Sequence, residues 1–441
     1  MLQKVIAFVL LVIMTALAVG QDAQRRPRTD VLHAASKPVE ATPIPQTEAR
    51  TVQSLSLSGL EALALQKNPT LATATARMNA ARGRKVQAGL YPNPSVGYHA
   101  TEIGNLGTAG QQGAFISQRF ITGGKLELDQ AIAGTEIKEA HFRFHAQEER
   151  VLSDVRIRFY DALVAQRRVE LSQELAGIGD ELVRATEKLI AGRQGTENDL
   201  LQAEIRADES HILLDNATNE QIEAWRRLVA VVGVPTMLAA HLDGQLDAEL
   251  PSRDWDTCYA TVLDNNPTLN AARTRVERAG IVIRRARKEP IPNVDLSVSV
   301  RHHNVTGSEV ANVQIGIPIP IFNRNQGNIR RAEAEWVAAC HEVKRIELSL
   351  QDRLAVAWRR YANAHQQTGR YRERMVPRAR RSLKLVTDGY VKDQIQYLTL
   401  LTAQQTYFQV NLAYLDALRE LRAASSLIEG QLLTDSLAER N

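Results

Sequence analysis

Val294, Leu296, Val298 and Val300 alternate with Asp295, Ser297, Ser299 and Arg301, and Ala311, Val313, Ile315 and Ile317 alternate with Asn312, Gln314 and Gly316. A period of two puts the apolar side chains on one face of a strand and the polar ones on the other. Earlier in the chain, "SVGYHATEI" and "QQGAFISQRF" show the same pattern more weakly. Each run holds about 8–10 residues, enough for a tilted strand to cross a bilayer and equally an ordinary length for a soluble antiparallel sheet. Pro318 and Pro320 follow the last run. They carry no N–H, so the ladder is predicted to stop there.

After each strand pair the pattern turns helical. One run extends from about Gly124 to Ile190 and a second from about Gln326 to Asp388, with a break predicted at Pro377. At 1.5 Å per residue each spans on the order of 100 Å. "AGRQGTEND" and "TDGYVKDQIQ" mark turns, and shorter helices follow near 196–232 and 394–429. Thr196 with Asp199 caps the first of these. "NPTL" occurs at 68–71 and again at 266–269, each time before a helical stretch that ends in a Pro/Asn cluster, "YPNPSV" or "PIPNVDL". The recurrence predicts a duplicated unit, 58–250 with strands at about 94–121 and 251–430 with strands at about 293–319, followed by a tail at 431–441. Ser58 with Glu61 reads as the capping box that opens the first unit.

Composition sharpens this picture. Aromatic residues make up 5% of the chain, and Ala, Leu, Glu, Arg and Gln dominate, which suits long helices packed through small side chains. The net charge of +4 reads as spread along the chain and implies no nucleic-acid partner. Lys4 precedes the apolar run "VIAFVLLVIMTALAVG". That reads as a signal peptide over 1–20, followed by a disordered Pro- and Thr-rich segment over 21–57. Cys258 and Cys340 fall at different predicted heights along their helices, roughly 45–50 Å and 20 Å from the strand end, so no disulfide is expected. His302 and His303 are neighbours on a strand and point to opposite faces. His141 and His145 share a helix face, but beside Glu148 and Glu149 they read as solvated charge. No metal site, cofactor or catalytic residue is predicted.

Helices of this length with only four short strands cannot form one compact domain. Four strands cannot close a barrel, and lipid tolerates no open sheet edge. Either the sheet is soluble, or several chains pool their strands; three copies would give about twelve, enough for a barrel.

"IGIPIPIFNRNQGNIRRA" and "QRFITGGKLELDQA", with "NDLLQAEI" and "YLTLLTAQQTY", resemble the outer-membrane efflux proteins of the TolC family, closest to the branch that serves heavy-metal pumps of the cobalt–zinc–cadmium type. The resemblance implies a mostly α chain in a homotrimer. A coiled-coil tunnel in the periplasm would lead into a barrel of about 12 strands in outer-membrane lipid. A periplasmic adaptor would dock it to an inner-membrane RND-type pump, and no chemistry would be catalysed. Pro318, Pro320, Asn323, Gly327, Gly123 and Gly124 would form the barrel–tunnel junctions. Gly192, Gly195, Thr196, Asp393 and Gln396 would lie at the adaptor-contacting tips. Tyr390 and Asp199 match the family's periplasmic latch. Thr399 and Thr402 stand where the best-known member has a ring of aspartates, and Asp393 where the family usually has glycine. Two other readings stay open, a structural periplasmic coiled coil with a soluble sheet and an outer-membrane conduit for type I protein secretion.

Overall fold

The computed structural model describes residues 55–104, 109–192, 196–248, 252–391 and 394–438. The predicted signal peptide and the segment up to residue 54 lie outside the described residues. Helix α1 runs over Leu57–Lys67 and α2 over Pro69–Ala88, strands β2 and β3 over Ser95–Ile103 and Ala109–Phe120, then α3 over Lys125–Ala191 and α4 over Glu197–Val232. The same order follows again: α5 at Trp255–Asn265, α6 at Pro267–Lys288, β5 at Val294–His303, β6 at Ser308–Gly316, α7 at Gln326–Arg370, α8 at Val376–Val391 and α9 at Tyr397–Glu429. Two short strands, β1 at Leu55–Ser56 and β4 at Leu242–Asp243, pair in parallel.

The repeated Asn-Pro motif does the same work twice. Asn68 and Asn266 each sit at a helix N-cap with Pro in the first turn, and their side-chain oxygens accept from the amides of Thr70 and Thr268. Each side-chain amide then reaches across the repeat. Asn68 Nδ2 donates to the Val231 carbonyl at 2.7 Å, and Asn266 Nδ2 to the Gln431 carbonyl at 2.9 Å. One residue type thus starts a helix and ties it to the end of another.

Two features depart from the sequence reading. The cap of α1 is Ser56, whose hydroxyl accepts from the Gly59 amide, and not Ser58; Glu61 instead pairs with Arg156. Pairing of Leu55–Ser56 with Leu242–Asp243 fixes the chain in an extended form up to Ser56, so the helix begins there and order starts before residue 58. Pro377 does not break its helix. A π turn at Tyr371–Met375 precedes it, with the Val376 amide bonded to the Tyr371 carbonyl five residues back. The wider turn absorbs the amide that proline lacks and the helix continues to Val391.

Two cores sit where the short helices pack on the long ones. One gathers Leu60, Val151, Val155, Phe159, Leu228 and Val232; the other gathers Leu269, Leu350, Leu354, Tyr361, Ala424 and Leu432. Residues 431–438, read from the sequence as a tail, pack back onto the helices, with Leu432 fully buried and its carbonyl taken by Arg353. Buried Arg422 pins the inter-repeat linker by donating to the carbonyls of Gln245 and Leu246. Below the cores α3 and α4 approach closely at small residues: a Cβ on Gly179 would sit 3.2 Å from the Ala207 backbone.

The four long strands form one antiparallel sheet in the order β2-β3-β5-β6. Gly233 closes α4 with φ +86°, and a Cβ there would lie 2.8 Å from the Lys67 carbonyl oxygen. Gly233→Ala is expected to destabilise the chain by about 1–3 kcal/mol through strain and contact. Asn266→Ala is expected to cost about 1–2 kcal/mol through its lost cap and cross-repeat bond. Denaturant midpoints in detergent check both.

Candidate functional site

The register assigns every strand residue to a face. Val96, Ile116, Val298 and Val313 form one row, and Tyr98, Ala114, Val300 and Ala311 the next. The opposite face carries Ser95, Ser117, Ser297 and Gln314, then Gly97, Phe115, Ser299 and Asn312. A sheet packed on a soluble core would bury the apolar rows. Here they lie open: Val96 is 76% and Ile315 70% exposed. The polar face holds the Arg119–Asp295 pair at 2.7 Å, and the Phe115 ring lies over Gly97, where a Cβ would meet it at 2.5 Å.

The sheet has two open edges, β2 and β6, and the prolines take their meaning from the second. In an antiparallel ladder the N–H and C=O of a residue point to the same neighbour, and successive residues alternate sides. The Asn304 amide donates to the Gly110 carbonyl, so even-numbered residues of β3 and β5 bond each other. Odd-numbered residues of β5 therefore face β6, whose even-numbered residues answer them. Pro318 and Pro320 share that even parity. The backbone groups they lack would have pointed towards β5, which begins only at Val294, opposite residue 317 in the extended register. Ile317 and Ile319 keep the parity of the outer edge with their amides intact. The prolines end the ladder within the chain and leave the outer edge open for a partner. Ile317, Ile319 and Ile321 continue the apolar face past the ladder, all exposed.

The first junction turns on Gly123 and Gly124, with φ of +72° and +70°; a Cβ on Gly123 would meet Ile291 at 3.1 Å. Sequence reasoning missed Lys125. It is 3% exposed and donates to the Ile291 carbonyl at 2.6 Å and to Asn293 Oδ1 at 2.9 Å. A lysine at a helix start reads as solvated charge in sequence, and only the fold brings residues 291–293 to it. The second junction turns on Asn325, with φ +60° at the N-cap of α7. Asn323 Oδ1 accepts from the Asn325 amide, and Asn325 Nδ2 donates to the Ala286 carbonyl. Gly327 lies in the first helical turn, where a Cβ would meet nothing within 4 Å, so the turn itself makes no demand for glycine there.

At the far end, Gly192 caps α3 and its amide bonds the Lys188 carbonyl. Thr196 and Asp199 form a full capping box, in which Asp199 Oδ2 accepts from the Thr196 amide at 3.1 Å and hydroxyl at 2.6 Å. Tyr390 lies in the last turn of α8. Gln396 precedes α9 without a side-chain cap. Thr399 and Thr402 are exposed on the first turns of α9, and the Thr402 hydroxyl is spent on the Leu398 carbonyl. Gly195 and Asp393 lie outside the described residues. His145 Nδ1 lies 2.9 Å from Glu148, and His302 Nδ1 lies 3.0 Å from Glu309. Cys258 and Cys340 are free. Among the described residues no group of three His, Cys, Asp or Glu could hold a metal ion, and no helix is long and apolar enough to cross a membrane.

The family described as outer membrane efflux protein matches residues 60–234 and 258–429, one stretch in each repeat. The cobalt-zinc-cadmium resistance protein CzcC of Cupriavidus metallidurans is 26% identical over 383 residues, which cover 85% of this chain and 89% of that protein. The nickel-cobalt-cadmium resistance protein NccC of Alcaligenes xylosoxydans xylosoxydans is 24% identical over 297 residues, covering 66% of this chain and 67% of that protein. Among solved structures, the channel CusC superposes with a TM-score of 0.72 at 18% identity, over 91% of this chain and 100% of that one.

Lys125→Met is expected to leave the Ile291 carbonyl unpaired and lower stability by about 1–3 kcal/mol. Gln326→Met, at the corresponding place in the second junction, is expected to cost less because its partners Phe322 and Arg324 are exposed. Thermal unfolding of the two variants in detergent checks the order.

Proposed function

The chain belongs to the outer membrane efflux protein family, and from that premise we infer that it is the outer-membrane channel of a tripartite efflux system, fed from the inner membrane by an RND-type pump through a periplasmic adaptor. The family is one of channels and not of enzymes. The observation that carries the reading is the sheet: four strands with an exposed apolar face, a polar face and two unpaired edges. In lipid such a sheet persists only as part of a closed ring. Three copies supply that ring, with β6 of one chain beside β2 of the next, the apolar rows towards lipid and the polar rows lining the lumen. Residues 58–250 and 251–430 are the two copies of a duplicated unit.

The register of that closure follows from the repeat. Within the chain Phe120 stands opposite Val294. Matching Gly124 to Asn325 and the first NPTL to the second makes their counterparts Ile321 and Val96, so Ile319 falls opposite Tyr98 of the next copy. The long helices continue the lumen through the periplasm to tips at Gly192, Gly195, Thr196, Asp393 and Gln396, where the adaptor docks. Tyr390 and Asp199 hold the entrance closed. A phenol donating to a carboxylate contributes about 1–3 kcal/mol before solvent screening. Asp199 also caps its own helix, so its removal affects both roles. Thr399 and Thr402 leave the entrance without a carboxylate ring. The cargo is divalent metal cations, an inference from the names of the two curated relatives.

Cysteines placed at Ile319 and Tyr98 are expected to join in outer membranes into two- and three-chain species with a short thiol crosslinker; a ladder absent under all oxidising conditions would overturn the closed trimer. Tyr390→Phe is expected to raise open probability in planar bilayers severalfold without changing stability, and wild-type gating in that variant would move the latch elsewhere. Expression with its own pump and adaptor in a sensitive strain should restore growth in cobalt, zinc or cadmium; protection confined to organic drugs would overturn the cargo.

A further inference from the structure

In the lower half of the molecule the helices stand in a row: α4 packs on α3, α3 on α9, and α9 on α8. The two ends of the row, α4 and α8, carry opposite charge. From Glu197 to Asp215, α4 has acidic residues at 197, 199, 204, 208, 209 and 215 against a single Arg206. From Arg370 to Lys384 the chain has basic residues at 370, 372, 374, 378, 380, 381 and 384 against a single Glu373. The charge is therefore not spread along the whole chain: local excesses of opposite sign stand at opposite edges of the row.

The outward faces also match in chemistry. On α4 the side turned from α3 carries Leu201, Ile205 and Ile212, with Asp208 and Asp215 beside them; Ile205 is 58% exposed. On α8, Ala379, Leu383 and Val386 turn towards α9, and the opposite side carries Leu385, 61% exposed, with Arg378 and Arg381. Several arginines elsewhere on the helices are paired within the chain, such as Arg156 with Glu61, Arg360 with Glu420 and Arg419 with Asp161. Arg378, Arg381, Asp208 and Asp215 make no ion pair among the described residues. At 1.5 Å per residue, all four lie roughly 15–30 Å from the tip turns of their own helices, so the two charged bands fall at similar heights.

We propose that α4 of one copy docks on α8 of the next through this charge-complementary seam, with Leu201, Ile205 and Ile212 against Leu385 and with Asp208 and Asp215 against Arg378 and Arg381. The proposal rests on the trimeric channel reading and adds a partner surface to it. The two edges differ in charge, so an α4 edge repels another α4 edge and an α8 edge another α8 edge. Each edge accepts only the opposite edge of another copy, which is the head-to-tail contact that closes a ring. The seam lies on the same two helices as Asp199 and Tyr390, on the side of the tip turns towards the strands. Being partly exposed, it weakens as salt screens it.

The test uses the full chain in outer membranes, with both native cysteines replaced by serine and new cysteines at Ile205 and Leu385. Within one chain these positions sit at opposite ends of four helices, on the order of 25–30 Å apart, so a disulfide between them joins two chains. We expect oxidation to give linked dimers and trimers. The double charge reversal Arg378→Glu/Arg381→Glu should reduce them at least fivefold, and adding Asp208→Arg/Asp215→Arg should restore them. Linkage that is absent, or that ignores both reversals, overturns the seam. Cysteines at Ile319 and Tyr98 report separately on the barrel. If they link while the helical pair does not, the seam alone fails; if neither pair links, the trimeric reading fails with it.

Discussion

An unpaired strand edge in hydrocarbon is the constraint on which the rest of this molecule depends. Each backbone N–H or C=O without a partner there costs several kcal/mol, and a four-stranded sheet has two full edges of them. Among the described residues nothing pairs with the outer side of β2 or β6. The apolar rows that face outward are useful only in lipid, and in lipid only a closed ring survives. A head-to-tail contact between copies follows from the requirement that one edge meet the other.

The prolines show how finely that requirement is met. A proline on the outer-edge parity would have removed a donor from the contact between copies. Pro318 and Pro320 both carry the other parity, where β5 has already turned away. Their fixed φ ends the ladder at no cost to the edge. The alternating isoleucines carry the apolar face across this stretch, so the chain leaves its own sheet two or more residues before it leaves the surface that the sheet presents. Parity decides this, and parity is invisible until the register is known.

Much of the fold was legible because its signals are local. Alternation at Val294–Val300 gave the faces, proline-free stretches gave the long helices, and Thr196 with Asp199 gave a capping box that the structure contains. Two of the misses involve distant partners. Ser56 wins over Ser58 because Leu242, far along the chain, holds Leu55 in a strand. Lys125 is buried because residues 291–293 fold onto it. The helix survives Pro377 because a π turn absorbs it, and no local pattern at Tyr371–Met375 announces one. At the second junction the family resemblance singled out Asn323 and Gly327, while the left-handed residue is Asn325, a conformation that asparagine tolerates better than most side chains.

The two junctions, equivalent by the repeat, differ in how they are satisfied, and the difference follows from which neighbour each will have. The first faces the loop before β5 of its own chain, so Lys125 bonds Ile291 and Asn293 as the chain folds. In the proposed ring the second would, by the same geometry, face the loop before β2 of another copy. It cannot rely on a partner that arrives later. Its polar groups are instead met within its own chain: Asn323 on the Asn325 amide, Gln326 on Phe322 and Arg324, Asn328 on Asn325, and Asn325 on the Ala286 carbonyl. A chain built this way completes one junction by folding and carries the other preassembled, so that association has to form only strand pairs and helix seams, and no turn need be rebuilt when the ring closes.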